Sequence, residues 1–349
     1  MKVLAKMLLS NQISSLIKSK GSKKSQLITL SADATIRTAL MTFVEQDISA
    51  IPVRGNGLDS EFLGMLNVTD ILKYILKDAP ESFYKQDIET LLNRPISVCI
   101  KECGIRKVKI INEQISLMQL LFDHWGMECP MDHGEIDIKH LLVRTSQAKY
   151  EVVTPTDLLR YILILSHEGD YLRRTKACEI PCGFNVNDNR VTHGEEDAWL
   201  AFKRLLENRP FFTLAIVDRD SGSLEANLSA VDFLPSSLAS NSSYTSLAKS
   251  ISLDEAISML RRPGLSLYAF VHATKPVSMQ NDLDPILLQP HFTLADLIEK
   301  MAKMKIHQLW RVSQDRVRTP VGTVGICDVI YHFCKIFEPF YGNETSLLD

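Results

Sequence analysis

Phe62-Leu63-Gly64-Met65-Leu66-Asn67-Val68-Thr69-Asp70-Ile71-Leu72 is the stretch that decides the fold. Its first five residues read as a short strand, and Asn67 is a favoured helix N-cap. Asp70, three residues on, complements the positive end of a helix running from Ile71 to Leu76. Upstream, a strand at Leu27–Leu30 leads to a helical stretch with Ile36, Ala39, Leu40 and Phe43 on one face. Another strand follows at Ile48–Val53, with a polar Gly-Asn-Gly turn behind it. The order is βαββα.

That order recurs, and an internal repeat outranks any single motif as a guide to architecture. The fourth copy has Ile286-Leu287-Leu288, then helical Leu294, Leu297, Ile298 and Met301, then a strand at Ile306–Val312. It closes with Val321-Gly322-Thr323-Val324 and Gly325-Ile326-Cys327-Asp328. The second copy runs through Val108–Ile111, helical Ile115, Met118 and Phe122, and a strand at Cys129-Pro130-Met131. Its last strand, Glu151-Val152-Val153, ends in Thr154-Pro155-Thr156-Asp157. The third uses Ala198, Ala201, Phe202 and Leu205, a strand at Phe212–Val217, and Ser229-Ala230-Val231-Asp232. Between the third and fourth copies, Pro235–Ser243 reads as a surface loop.

One such copy exposes an apolar sheet face that it cannot cover alone, so copies are expected to pair. The reading is an α/β chain of four βαββα repeats, at about 26–78, 95–166, 184–235 and 250–338, making two pseudo-dimeric modules. The expected division is 1–178 and 179–349. The length of 349 residues, more than one hydrophobic core usually holds, agrees with this.

Composition excludes some partners. A formal net charge of −3 leaves no basic excess for phosphate backbones or acidic membrane surfaces, so neither nucleic acid nor membrane is expected. Seven cysteines, an odd number scattered along the chain, suit free thiols in a reducing compartment, cytoplasmic and also nuclear. The start, Met1–Leu9, is broken by lysines and lacks a small-residue cleavage site. Leu4, Leu8, Ile13, Leu16 and Ile17 instead read as one face of a packed helix. Nowhere is an apolar stretch long enough to span a bilayer.

Each copy ends its last strand with the same device, a small or polar residue and then, three positions later, an aspartate. The pairs are Asn67 with Asp70, Thr154 with Asp157, Ser229 with Asp232, and Gly325 with Asp328. Helix capping accounts for any one of them. Pro155 also suits a first helical position. The same corner offers a nucleoside site as well, because the carboxylate accepts from ribose hydroxyls and the helix N-terminus attracts a phosphate. The two readings are compatible.

The run 27–76, above all 62–72, resembles the first CBS repeat of the gamma regulatory subunits of AMP-activated and sucrose-nonfermenting-type protein kinases. Ile306–Val312, with Gly322 and Asp328, resembles their last. The resemblance implies two CBS pairs, or Bateman modules, packed into a flat disk. It also implies AMP, ADP or ATP held between repeats as a regulatory ligand, and non-catalytic regulation of a kinase complex with catalytic and scaffold subunits. Carried over by position, Asp70, Asp157, Asp232 and Asp328 are the ribose-binding carboxylates. Thr154 and Ser229 keep a hydroxyl three residues earlier, Asn67 is a polar substitute, and Gly325 offers no side chain.

On the phosphate side His307 survives, whereas Ser49, Met127-Glu128 and Gln308 stand where the family has basic residues. Each missing charge-assisted contact forfeits about 1.5–3 kcal/mol. Recognition of adenosine is therefore expected to outlast discrimination among its phosphates. The alternative is a CBS scaffold without regulated nucleotide binding, an interaction surface for a kinase or phosphatase.

No Gly-rich phosphate loop, nucleophile elbow or His-Glu-x-x-His motif occurs, so neither catalysis nor a catalytic cofactor is expected. Cys99 with Cys103 and Cys178 with Cys182 have a spacing that permits a four-thiolate zinc site, but buried thiols are the default. The polar run Cys129, Asp132, His133, Glu135, Asp137 and His140 reads as a solvated hairpin turn, and no metal site is assigned.

Overall fold

A computed structural model of the chain describes its residues apart from 22–26, 57–60, 78–84, 106, 126–139, 167–170, 182–189, 208–212, 236–250, 276–283, 316 and 342–349. The chain opens with two helices, α1 (Lys2–Ser10) and α2 (Ile13–Ser19), where the apolar spacing suggested one. The break has a local cause. Asn11 turns extended and its side-chain amide donates to Met7 O at 2.9 Å, while its own carbonyl accepts from Leu117 N–H at 2.9 Å. Leu4, Leu8, Ile13 and Leu16 are nonetheless all buried.

The first repeat comprises β1 (Leu30–Ser31), α3 (Ile36–Glu45), β2 (Ala50–Arg54), β3 (Phe62–Asn67) and α4 (Val68–Ile75). A second helical pair follows, α5 (Lys85–Leu92) and α6 (Ile96–Glu102). The second repeat has β4 (Ile110–Asn112), α7 (Leu117–Gln119) running into a π-helical turn at Leu120–Trp125, β5 (Leu141–Arg144), β6 (Tyr150–Val153) and α8 (Pro155–Leu165). Next come α9 (Tyr171–Arg174) and a 3-10 turn at Ala177–Glu179. The third repeat has β7 (Val191–Thr192), α10 (Ala198–Glu207), β8 (Thr213–Val217), β9 (Leu224–Ser229) and a 3-10 turn at Ala230–Phe233. A further helical pair, α11 (Leu253–Leu260) and α12 (Leu267–Thr274), precedes the fourth repeat, which has α13 (Leu294–Met304), β10 (Gln308–Val312), β11 (Pro320–Gly325) and α14 (Ile326–Phe337).

Three repeats share one sheet plan, a parallel edge strand, a central strand and an antiparallel partner: β1-β2-β3, β4-β5-β6 and β7-β8-β9. In the fourth only β10 and β11 form a ladder, and the expected strand at Ile286–Leu288 is reduced to a parallel bridge between Leu287 and Trp310. The second copy also differs from expectation. Its central strand is β5, and Cys129-Pro130-Met131, read as that strand, lies outside the described residues. The polar run therefore precedes the central strand, and the hairpin turn falls at 145–149, where Ala148 takes a positive φ of 57°.

Each repeat's first helix is anchored to one helical pair by a backbone bridge at matching positions. Thr35 meets Pro95, Gln12 meets Ser116, Asp197 meets Ser266, and Lys176 meets Thr293. Repeats one and three thus use the pair that follows them in the chain, whereas repeats two and four use a pair lying before the preceding repeat. The arrangement is duplicated along the chain, and the second series opens at α9, upstream of the expected boundary at 178.

Residues 28–108 and 187–285, carrying repeats one and three, form one compact unit. Its core includes Phe43, Leu66, Ile71, Phe202, Phe233 and Phe270. Residues 1–27, 109–186 and 286–349, carrying repeats two and four, form the other, around Leu8, Met118, Leu158, Ile298, Phe333 and Phe337. Within each unit, compactness joins alternate repeats.

Candidate functional site

All four β-to-α corners are built the same way. The backbone N–H at the end of the last strand donates to Oδ2 of the aspartate three residues on, at 2.9 Å for Asn67, 2.9 Å for Thr154, 2.6 Å for Ser229 and 2.7 Å for Gly325. Side chains add to this. Thr154 Oγ1 donates to Asp157 Oδ2 at 2.9 Å and accepts from Asp157 N–H at 3.1 Å. Ser229 Oγ donates to Asp232 Oδ2 at 2.8 Å, and Asn67 Nδ2 donates to Asp70 Oδ2 at 3.2 Å. In the third repeat this corner opens only the 3-10 turn, not the expected helix.

Capping is therefore a real duty of these aspartates, and by itself it marks no site. The same bonds recur at the start of α13, where Thr293 N–H and Oγ1 reach Asp296 Oδ2 at 2.8 and 2.7 Å. At corners two and three a lysine also meets the carboxylate. Lys20 Nζ sits 2.9 Å from Asp157 Oδ2 and donates to Val152 O at 2.9 Å. Lys275 Nζ pairs with Asp232 Oδ1. Asp232 and Lys275 are nearly enclosed, their side chains 7% and 14% exposed, whereas Lys20 is 37% exposed over an Asp157 that is 15% exposed. Capping requires no lysine.

The two lysines hold equivalent places: Lys20 is the C-cap of α2 and Lys275 the C-cap of α12, each ending the second helix of the pair anchored to that repeat. The C-cap of α6, the matching helix for the first repeat, is Cys103. For the fourth it is Ile180, which is buried. Spacing along the sequence gave no sign of either lysine, because each approaches its aspartate from a separate helix.

Strand register bears on the phosphate side. Leu141 pairs with Val153, so His140, directly before β5, comes level with Thr154, as Gln308 does with Gly325 and Thr213 with Ser229. Met127-Glu128, read as the basic positions of the second repeat, lie outside the described residues. His307 is exposed and its carbonyl accepts from Ile326 N–H at 2.9 Å. Surrounding protein still holds its pKa below that of a free imidazole, because low-dielectric mass weakens hydration of the charged form. Arg311 has a structural task, as its Nη2 donates to the carbonyls of Ala177, Cys178 and Ile180 at 3.1, 2.9 and 2.6 Å.

Gly325 has a local explanation. A Cβ there would lie 3.2 Å from His307 O, so that backbone would have to give by a few tenths of an ångström, and 3.5 Å from Asp328 Oδ2, an ordinary contact. Asp328 itself is buried, 4% exposed.

Among the described residues no group of three or more His, Cys, Asp and Glu side chains could hold a metal ion. Cys178 is exposed, and Cys182 lies outside the described residues. No described helix is long and apolar enough to cross a membrane.

Residues 23–77 match the family model for the CBS domain. Compared by sequence with curated proteins, the chain has no match. Among solved structures, a Methanocaldococcus jannaschii protein described as a candidate archaeal homologue of γ-AMPK shares 15% identity, covers 93% of this chain and 100% of its own, and gives a TM-score of 0.61. An uncharacterised conserved protein from Pyrococcus horikoshii shares 16% identity over 87% of this chain and 93% of its own, with a TM-score of 0.45. The CBS domain of a bacterial CNNM/CorC-family Mg2+ transporter, in complex with ATP, shares 15% identity over 46% of this chain and 92% of its own, with a TM-score of 0.32. The first likeness speaks for the fold alone.

Proposed function

We propose that the chain, whose residues 23–77 match the CBS domain and whose four corners share one design, is a non-catalytic regulatory protein that binds adenine nucleotides and adjusts a protein kinase complex. The observation that carries this reading is the lysine beside the corner carboxylate in repeats two and three. A ribose offers two hydroxyls to an aspartate, and the lysine so released has a phosphate to meet. His140 and His307 add imidazole donors at the strand starts of repeats two and four. In this reading the chain divides into two modules, 1–178 and 179–349. Regulation follows only if the ligand binds one packing on the kinase better than another.

Calorimetry with adenosine, AMP, ADP, ATP and S-adenosylmethionine tests it. AMP is expected to bind more tightly than adenosine, and Lys20→Met with Lys275→Met to reduce that preference by about tenfold or more, one lost charge-assisted bond. Absence of heat and of any melting shift with all five at millimolar concentration discards the reading. It would favour the second one, a scaffold that presents an interaction surface. The same lysines lend that alternative some support, since they already neutralise Asp157 and Asp232 internally.

A further inference from the structure

The first repeat places two thiols where repeats two and three have lysines. Cys99 and Cys103 lie one turn apart at the end of α6, which packs on α4. Both point at the same acceptor, the backbone carbonyl of Asp70, with Sγ to O distances of 3.9 Å from Cys99 and 3.4 Å from Cys103. Cys99 is fully buried and Cys103 half-buried, so Cys103 is the more accessible residue of the two. Residues one helical turn apart have Cα atoms about 6 Å apart, within the usual span of a disulfide. Their Cβ atoms lie about 5–6 Å apart against the roughly 4 Å a bridge needs, so closing it requires the end of α6 at the Cys103 cap to unwind.

We propose that Cys103 and Cys99 are an oxidisable dithiol that responds to a peroxide. The Cys103 thiolate attacks one peroxide oxygen and expels hydroxide or water, leaving a sulfenic acid; sulfur loses two electrons and the peroxide bond gains them. The Cys99 sulfur then attacks Cys103 Sγ, the sulfenic oxygen leaves, and with the Cys99 proton it departs as water. Two thiols and one hydrogen peroxide become one disulfide and two waters. The bridge has no S–H, so both bonds to Asp70 O are lost at the corner where α4 begins.

Local charge supports the order of events. The neighbouring Cys99 sulfur lowers the Cys103 pKa and Lys73 lowers it further, against burial, Asp70 and Glu102, which raise it. The neighbouring Cys103 sulfur, together with burial, pushes Cys99 up. The more accessible sulfur is thus the readier thiolate, the arrangement of an attacking and a resolving cysteine. None of this rests on the nucleotide reading.

The test is stepwise hydrogen peroxide on the full chain, then alkylation, trypsin and mass spectrometry. Cleavage after Lys101 separates the two cysteines, so a bridge appears as a linked peptide pair. In the wild type, alkylation of both is expected to disappear together while Cys178 stays alkylatable. With Cys99→Ala the sulfenic acid on Cys103 has no partner and is captured by dimedone. With Cys103→Ser, Cys99 remains reduced. The proposal is overturned if both cysteines stay alkylatable while Cys178 oxidises, or if dimedone labels Cys103 equally with and without Cys99. The wild-type arm decides even if a variant misfolds.

Discussion

Corners two and three contrast with corner one in what ends the helix anchored beside the aspartate: lysine in the first two and cysteine in the third. Backbone and cap are otherwise shared, down to the N–H bond on Oδ2. One scaffold position thus carries an ion-paired lysine in two repeats and a cysteine in another. The cap is a folding requirement, and the residue presented to it is where the repeats are free to diverge.

The largest expected effect separates the two lysine corners from each other. Asp232→Ala leaves Lys275 enclosed without its partner and is expected to cost about 3–5 kcal/mol, the range for breaking a buried pair. Asp157→Ala releases a lysine that can turn to water and is expected to cost roughly 1–2 kcal/mol, mostly the lost cap. Urea unfolding of both variants measures the gap. Equal losses would mean that enclosure does not distinguish these corners.

A smaller effect sharpens the contrast with the fourth corner. Gly325→Ala pushes a Cβ toward His307 O and is expected to cost roughly 1–2 kcal/mol. Gly325→Ser meets the same obstruction but offers the hydroxyl that Ser229 uses on Asp232, worth about 0.5–1.5 kcal/mol. Serine should therefore be the milder substitution by thermal melting. If alanine is as stable as glycine, tightness is not why this copy lacks a side chain.

These contrasts also mark what could be read without coordinates. The four aspartates were legible because a cap is local: a strand, a small polar residue, and an acid three positions on. The lysines were not, since Lys20 and Lys275 lie 137 and 43 residues from the aspartates they meet. The central strand of repeat two was misplaced because Cys129-Pro130-Met131 offered a short apolar run at the usual distance from the helix, whereas the pairing segment, Leu141-Leu142-Val143, lies beyond a long polar stretch. Only partner strands decide between two such runs. The weak first strand of repeat four was over-read for a related reason: Ile286-Leu287-Leu288 has β-forming residues, yet it contributes a single bridge.

The smallest effect tests whether the Lys20 pair is a surface contact in energy as well as in position. With the lysine more than a third exposed, Lys20→Met should cost no more than about 1 kcal/mol, since exposed pairs usually contribute about 0.2–1 kcal/mol. Screening then supplies the diagnostic, because the Debye length falls from about 10 Å at 0.1 M salt to about 3 Å at 1 M. The gap between wild type and Lys20→Met in urea should narrow as salt rises. Lys275→Met strands an enclosed carboxylate that ions reach poorly, so its penalty should persist. A Lys20→Met penalty that is large and indifferent to salt would make the two lysine corners energetically alike, and exposure would no longer explain how they differ.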